Sequence, residues 1–421
     1  MGAERRGLAG VRRGAWGGAL LGLCLGLLSA GPAGAQEAVT LDRARVVAMA
    51  LAHAPAVGPA VARVGEARAL HVGARALAPE NPTVTLRAGP RFVAGDTEPL
   101  LDVNLSFSWP FDVSGARGAR TALADAATEA AEAEVADARR LAAARALDLW
   151  VRALGAVEGV RLAEARAALD ADLTRSARSR RDAGSGNDLD VALTTVEQAD
   201  SAARVEAARG ERDALLAALR GEAGLPPTAQ VELAGNLEED DAPPLGALLA
   251  LLPRRSDLAG AELAVRAARA DARLQGRLGV PLPSLSFQGG RENEYFAQGG
   301  LEVPLPIYQR NQTARAVAAA RVATRQAERV AALARAEAEL RAAYASYEGA
   351  RGSFAALRAA DDAVGLTERL ATRAYELGQR DLASVLVARR TAAEARQRRL
   401  EALVALGRAQ VAVDQAAGRP P

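Results

Sequence analysis

From Asn311 to about Leu377 the chain carries no proline, and Ala, Arg, Glu and Leu dominate. Leu333, Leu340, Tyr347 and Phe354 fall seven residues apart, and Ala343, Ala350, Leu357 and Val364 form a second row at the same interval. Two small or apolar rows at a seven-residue repeat predict a coiled-coil seam. At ~1.5 Å per residue such a helix would make a rod of roughly 100 Å. Helices of ordinary globular domains average ~11–12 residues, so this rod cannot belong to one. Just before it, Gly299 to Tyr308 alternates as a strand closed by Pro304 and Pro306.

The same succession occurs twice. Leu51 to Ala78 reads as a helix, and Pro82 to Gly89 alternates as a strand; Leu252 to Leu278 and Pro283 to Gly290 repeat this at one constant offset. A second strand follows in each half, Leu101–Pro110 and Ala297–Pro306, each ending in proline before a long helix. The first long helix is expected from about Ala116 to Arg181, with Leu147, Trp150, Leu154 and Val157 on its apolar seam. Each long helix reaches a glycine turn, at Gly184 and Gly378, and a shorter helix returns behind it, about Asp188–Gly221 and Asp381–Ala416. A repeat of this size is an architectural signal in itself. It divides the chain into a leader (1–35), a first repeat (36–221; strand pair 82–110, helical hairpin 114–221), a Pro- and acid-rich insert (222–255) and a second repeat (256–421; strand pair 283–306, helical hairpin 310–417). The insert is too small to bury a core of its own.

Residues 1–35 read as a secretory signal. Arg5, Arg6, Arg12 and Arg13 form a charged start, Ala19–Leu28 an apolar run, and Ala33-Gly34-Ala35 a small-residue cleavage site before Gln36. The apolar run falls short of the ~20 residues that span a bilayer. Cys24 follows Leu23, where a lipidation signal wants a small residue, so it is read as part of the discarded leader. Removing the leader changes the charge picture: 53 basic and 51 acidic residues become 49 and 50, the leader holding four Arg and Glu4. The remaining chain is near neutral and gives no argument for nucleic acid. It also has no thiol, which excludes disulfides and Cys chemistry. No later stretch reaches ~18 uninterrupted apolar residues, so any membrane crossing has to use strands.

Four strands of eight to ten residues match the ~9–11 residues of a tilted membrane-spanning strand. Four cannot close a barrel, and open sheet edges are not tolerated in lipid. Several copies would have to share one, and three would give twelve strands. Phe92, Phe107, Trp109, Phe111, Phe287, Tyr295, Phe296 and Tyr308 gather at these strands although aromatics make up only 3% of the chain, as an interfacial girdle would require. Arg87, Arg91 and Arg291 near the strand ends fit either a lumen or a loop.

Taken together, these features resemble the TolC-type outer-membrane efflux factors, over nearly the whole mature length. The residues carrying the resemblance are Pro79-Glu-Asn-Pro82 before the first strand, Ser108-Trp-Pro-Phe-Asp-Val-Ser-Gly-Ala-Arg-Gly-Ala-Arg120 after the second, and Val303-Pro-Leu-Pro-Ile-Tyr-Gln-Arg-Asn-Gln312. The last is similar to a junction found in the heavy-metal and cation efflux branch, with Ile307 and Tyr308 a mild departure from its usual order. The resemblance implies a mainly α fold with a small β part: long coiled-coil hairpins forming an α-barrel, and four strands contributing to a trimeric twelve-stranded transmembrane barrel. It implies a homotrimer in outer-membrane lipid that works with a periplasmic adaptor and an inner-membrane transporter, as the passive exit duct of a tripartite efflux pump or of a type I secretion-like system, for heavy-metal cations or small toxic compounds.

The resemblance also implies a gate where the two hairpin turns meet. Asp190, six residues after Gly184, matches the family's acidic gating position; Tyr375 and Arg380, flanking Gly378, match its bonding partners. The turns at Gly184 and Gly378 would contact the adaptor, and Pro110, Pro304, Pro306, Arg310 and Asn311 would form the strand–helix junctions. The family's acidic ring after the second turn is replaced here by Ser384 and Val387, while Asp361 and Asp362 read as a solvated helix face. His53 and His71 lie five helical turns apart and cannot share a metal site. The run Glu238-Glu239-Asp240-Asp241 reads as solvated charge. No phosphate loop or Ser-His-Asp context occurs, so no cofactor, no metal and no enzymatic activity are expected. The rival reading is a periplasmic coiled-coil adaptor or scaffold. Two hairpins and two isolated strand pairs count against it.

Overall fold

The structure, a computed structural model, describes residues 38–77, 80–92, 100–237, 241–291, 294–377 and 379–419. The leader, Pro79, Glu238–Asp240 and Gly378 therefore lie outside the described residues. Two chain-long repeats are visible: α2 (Val57–Ala74), β2 (Thr83–Arg91), β3 (Leu100–Pro110), α3 (Ala116–Asp182) and α4 (Asp188–Glu222), then α6 (Ser256–Arg277), β5 (Ser284–Arg291), β6 (Tyr295–Glu302), α7 (Gln312–Ala359), α8 (Asp361–Glu376) and α9 (Leu382–Ala417). Ahead of them come β1 (Val39–Leu41) and α1 (Arg43–His53), and between them β4 (Val231–Leu233) and α5 (Leu245–Leu249).

Four local readings are corrected. The first expected helix starts earlier and breaks: Asp42 caps α1 by accepting from the Arg45 N–H at 2.7 Å, and Ala54 turns extended ahead of Pro55, as a residue preceding proline must. The run Arg43–Ala74 is, among the described residues, apolar and long enough to cross a membrane. It is two helices, however, and Val46, Val47, Ala50 and Val57 are buried in the core around Trp150. The long second rod is not continuous: Ala360 bonds back to the Leu357 carbonyl, one tight turn between α7 and α8 with no proline to announce it. Strand β6 ends at Glu302 rather than running to Pro306, because neither Pro304 nor Pro306 can donate to a ladder. Finally, Leu340, Tyr347 and Phe354 of the expected seam are buried, but Leu333 is half exposed. It lies just beyond the point where the end of α9, Val413 to Ala417, packs on Ala336 and Leu340.

The sixty-seven residues of α3 form the spine, about 100 Å long at ~1.5 Å per residue. Half of its buried residues are alanine, including Ala142, Ala143, Ala146 and Ala153, so neighbouring helices approach closely. The contact with α9 is close at two glycines. A Cβ on Gly155 would overlap Val404 Cγ2, and one on Gly407 would meet Val151 Cγ1 at 3.1 Å. Each helix thus receives the other's valine over a glycine. Nearby, Trp150 is buried, donates its indole N–H to the Leu41 carbonyl at 3.1 Å, and leaves no room for a side chain on Gly235, which has φ +127°. That bond fixes the short parallel pair β1–β4 against the spine.

Candidate membrane sheet, junctions and hairpin tips

Strands β2-β3-β5-β6 form one antiparallel sheet in that order. Because side chains alternate along a strand, the register sorts the sheet into two faces. One carries Val84, Leu86, Ala88 and Pro90 of β2; Leu101, Val103, Leu105, Phe107 and Trp109 of β3; Leu285 and Phe287 of β5; and Ala297 and Leu301 of β6. The other carries Thr83, Thr85 and Arg87; Asp102, Asn104, Ser106 and Ser108; Ser284, Ser286 and Gln288; and Gln298 and Glu302. Val84, Leu86, Leu101, Leu105, Phe287 and Leu301 are all exposed, so nothing among the described residues covers the apolar face. From Leu101 to Trp109 the band runs roughly 27 Å along the strand at ~3.4 Å per residue, enough for a tilted crossing.

The register also places the aromatics and arginines. Trp109 stands at the helix-proximal end of the apolar face and Tyr295 at the other, with Phe107 and Phe287 between them. Phe296, however, lies on the polar face and is no part of a girdle. Arg87 and Arg91 are on the polar face, Arg91 with its Nε 3.5 Å from Asp102. Arg291 is at the far end of the apolar face, its guanidinium 5.9 Å from the Tyr295 ring. A charge there can reach the interface along its own stem.

Each long helix is entered through a left-handed residue, Gly115 (φ +71°) before α3 and Asn311 (φ +57°) before α7. In the first junction Asp112 accepts from Ser114 N–H, Ser114 O–H and Arg117 N–H. Desolvation alone would raise its pKa, but these bonds win and hold the carboxyl below its ordinary value. Pro110 is buried at the end of β3, where the Phe111 N–H donates to the Pro283 carbonyl at 2.9 Å. In the second junction Arg310 Nε donates to the Pro306 carbonyl, its N–H to Gln312 Oε1, and Gln312 Nε2 to the Tyr308 carbonyl. Asn311 Nδ2 donates to the Gln275 carbonyl and Oε1 at 2.9 and 3.1 Å, tying α7 to α6. The Arg-Asn-Gln triplet is thus a staple that turns strand into helix, whereas Pro304 merely keeps the connection extended. Asn311→Ala is expected to destabilise the solubilised protein by about 2 kcal/mol, from αL strain plus lost hydrogen bonds. Asn311→Gly should recover the strain component, and thermal melts of the three proteins check the order.

At the far end of the rods, Asn187 caps α4 by accepting the Asp190 N–H at 2.8 Å, and Asp381 caps α9 by accepting the Ser384 N–H. Gly184 is left-handed (φ +76°) and closes the first turn. Tyr375 is buried with Leu173, Leu382 and Val385, and Arg180 of α3 stacks its guanidinium 4.9 Å over the ring. Its hydroxyl has no hydrogen-bond partner among the described residues. Arg380 is exposed and Asp190 half-buried, and no ion pair joins them within one chain among the described residues. A little higher, a chain of charges links three helices: Arg390 of α9 to Glu197 of α4 at 2.6 Å, and Arg166 of α3 to Glu197 and Asp170, each at 3.5 Å. Burial raises the Asp170 pKa despite Arg166 and Arg389 nearby. No motif marks this buried carboxylate among the many charged residues of α3.

The model of the outer membrane efflux protein family matches residues 46–225 and 248–419, which is most of the chain. The chain belongs to the outer membrane efflux protein family. No curated protein matches it by sequence. Among solved structures it is similar to the outer-membrane channel OprN, with 24% identity and a TM-score of 0.70, over 90% of this chain and 91% of that one. A membrane protein from Pseudomonas aeruginosa gives 21% identity and a TM-score of 0.77, over 90% of both chains. CusC, described with its transmembrane channel formation, gives 18% identity and a TM-score of 0.73, over 93% of this chain and 96% of that one. At these identities the structural likeness speaks for the fold: a TolC-like channel with an α-barrel and a strand section. Membership assigns the efflux channel to the outer membrane, with its helices extending into the periplasm. Fold and placement agree with what the junction motifs implied.

Proposed function

We propose that three copies of the chain close a twelve-stranded barrel and stack their helical hairpins into one wall, making a passive exit duct. The observation that carries this is the four-stranded sheet with an apolar face, a polar face and two edges, β2 and β6, left unpaired among the described residues. In lipid each edge needs a partner. The edges run antiparallel, so β6 of one copy can pair with β2 of the next and preserve an even, all-antiparallel barrel. Two copies would give eight strands, an interior that side chains fill; three leave a passage. The duct serves a tripartite pump, receiving cargo from an inner-membrane transporter through a periplasmic adaptor that contacts the tips at Gly184 and Gly378. The cargo is heavy-metal cations or small toxic compounds, a reading supported by the Val303–Gln312 junction. Asp190, Tyr375 and Arg380 hold the periplasmic end shut, with Asp190 and Arg380 pairing between neighbouring copies.

Extraction of the outer membrane in mild detergent, followed by unheated gel electrophoresis and mass measurement, tests the assembly. A particle of three chains is the expected result. A stable monomer in the osmotic-shock fluid would end the duct reading and return the adaptor reading.

A further inference from the structure

We infer that Arg87 sets the charge preference of the barrel: three copies form a cationic ring at its waist that favours anionic cargo over bare cations. The inference rests on the trimeric duct proposed above and goes beyond it by choosing between the cargo classes left open there. Arg87 is the central residue of β2, three residues along its strand from either end of the apolar band at Val84 and Pro90, and it lies on the polar face opposite Asn104. An arginine at mid-membrane depth facing lipid would be strongly unfavourable, so this face must meet water. No carboxylate among the described residues pairs with it. Its companions on the same face, Thr85, Gly89, Asn104 and Gly290, are small or neutral.

The other charges of that face do not neutralise it. Asp102 has Arg91 3.5 Å away. Glu302 is opposite Ser284, at the helix-proximal end of the sheet. That is six residues along the strands from the Arg87 level, or about 20 Å at ~3.4 Å per residue, well beyond a Debye length of ~10 Å at 0.1 M salt. A positive section therefore lies midway along the strands. Three unit charges on the order of 10 Å from the axis of a twelve-stranded barrel, in water and screened over ~10 Å, enrich monovalent anions about twofold and deplete cations equally. Their combined effect on the chloride-to-potassium permeability ratio is about fourfold. Divalent cations would be depleted more steeply than monovalent ones. Cargo that is anionic, such as an organic acid or an oxyanion, gains where a bare metal ion loses.

The experiment is the reversal potential of the full-length protein in planar bilayers under a KCl gradient, for wild type, Arg87→Gln and Arg87→Glu. The same three are measured in an Asp190→Ala, Arg380→Ala background, which keeps the barrel in series with a released periplasmic end. The expected result is a permeability ratio that falls about fourfold in Arg87→Gln and further, to cation preference, in Arg87→Glu. Channels of all three with one unchanged ratio would overturn the ring while leaving the duct intact. If the wild-type protein forms no channel at all, the duct reading falls and the ring with it.

Discussion

Leu86→Arg is expected to abolish assembly in the outer membrane, while the adjacent Arg87 is a native arginine. The two residues are neighbours in the chain and on opposite faces of β2, Leu86 paired with Leu105 and Arg87 with Asn104. An arginine on the lipid face near the bilayer midplane costs about 2–4 kcal/mol. A trimer would carry it three times, or roughly 6–12 kcal/mol, comparable with the ~5–15 kcal/mol that separates folded from unfolded states of typical proteins. Thr85→Arg, one step back on the polar face, should assemble normally. Heat-modifiable trimer on unheated gels, scored for the two variants side by side, decides it. Equal assembly of both would mean that the face carrying Leu86 and Phe287 does not meet lipid.

The second large effect is expected at the tips. Asp190→Ala together with Arg380→Ala should raise single-channel conductance severalfold, because exposed pairs of this kind are worth ~0–1 kcal/mol each and the closed state rests on only a few. Tyr375 separates two ways of holding the end shut. In the chain it acts by packing, buried with Leu173 and Val385 under the Arg180 guanidinium, with its hydroxyl unpartnered. Tyr375→Phe should therefore leave conductance unchanged, since removing an unpaired buried hydroxyl is near neutral. Tyr375→Ala should open the channel by emptying the cluster, a change of about 3–5 kcal/mol for a large aromatic in a core. A rise in conductance with Tyr375→Phe would show instead that the hydroxyl bonds across the gate in the assembly.

What could be read from the chain followed from periodicity. Two-residue alternation marked all four strands of the sheet, and the proline-free Ala-rich stretches marked the long helices, because these patterns persist over many residues. The pairs β1 and β4 escaped, since three residues give no period and what holds them is a distant contact from Trp150 to Leu41. The turn at Ala360 escaped because neither proline nor glycine marks it. Leu333 was misassigned for a related reason: a seven-residue row says which residues share a helix face, not where the facing helix stops. For the site, the Arg310-Asn311-Gln312 staple was visible as a motif, yet its bonds to Pro306, Tyr308 and Gln275 were not. The faces of Arg87 and Arg291 needed the register, because a one-residue slip exchanges every side chain between faces. Asp170 was invisible among many helical carboxylates until α4 and α9 were seen to cover it.

The valine-over-glycine contacts at Gly155 and Gly407 have a mechanical meaning. Sliding α9 along α3 by one residue would move Val404 off Gly155 and Val151 off Gly407 onto positions that carry side chains, so the register of the two rods is set at that height. Below it α9 keeps weaker holds on α3, Arg389 donating to the Leu169 carbonyl and Val385 packing on Leu173, while Arg399 reaches Asp361 at 3.0 Å beside the joint at Ala360. A displacement of the far ends of α8 and α9 would first have to release these lower holds, while the glycine-seated valines keep the two rods in register above them.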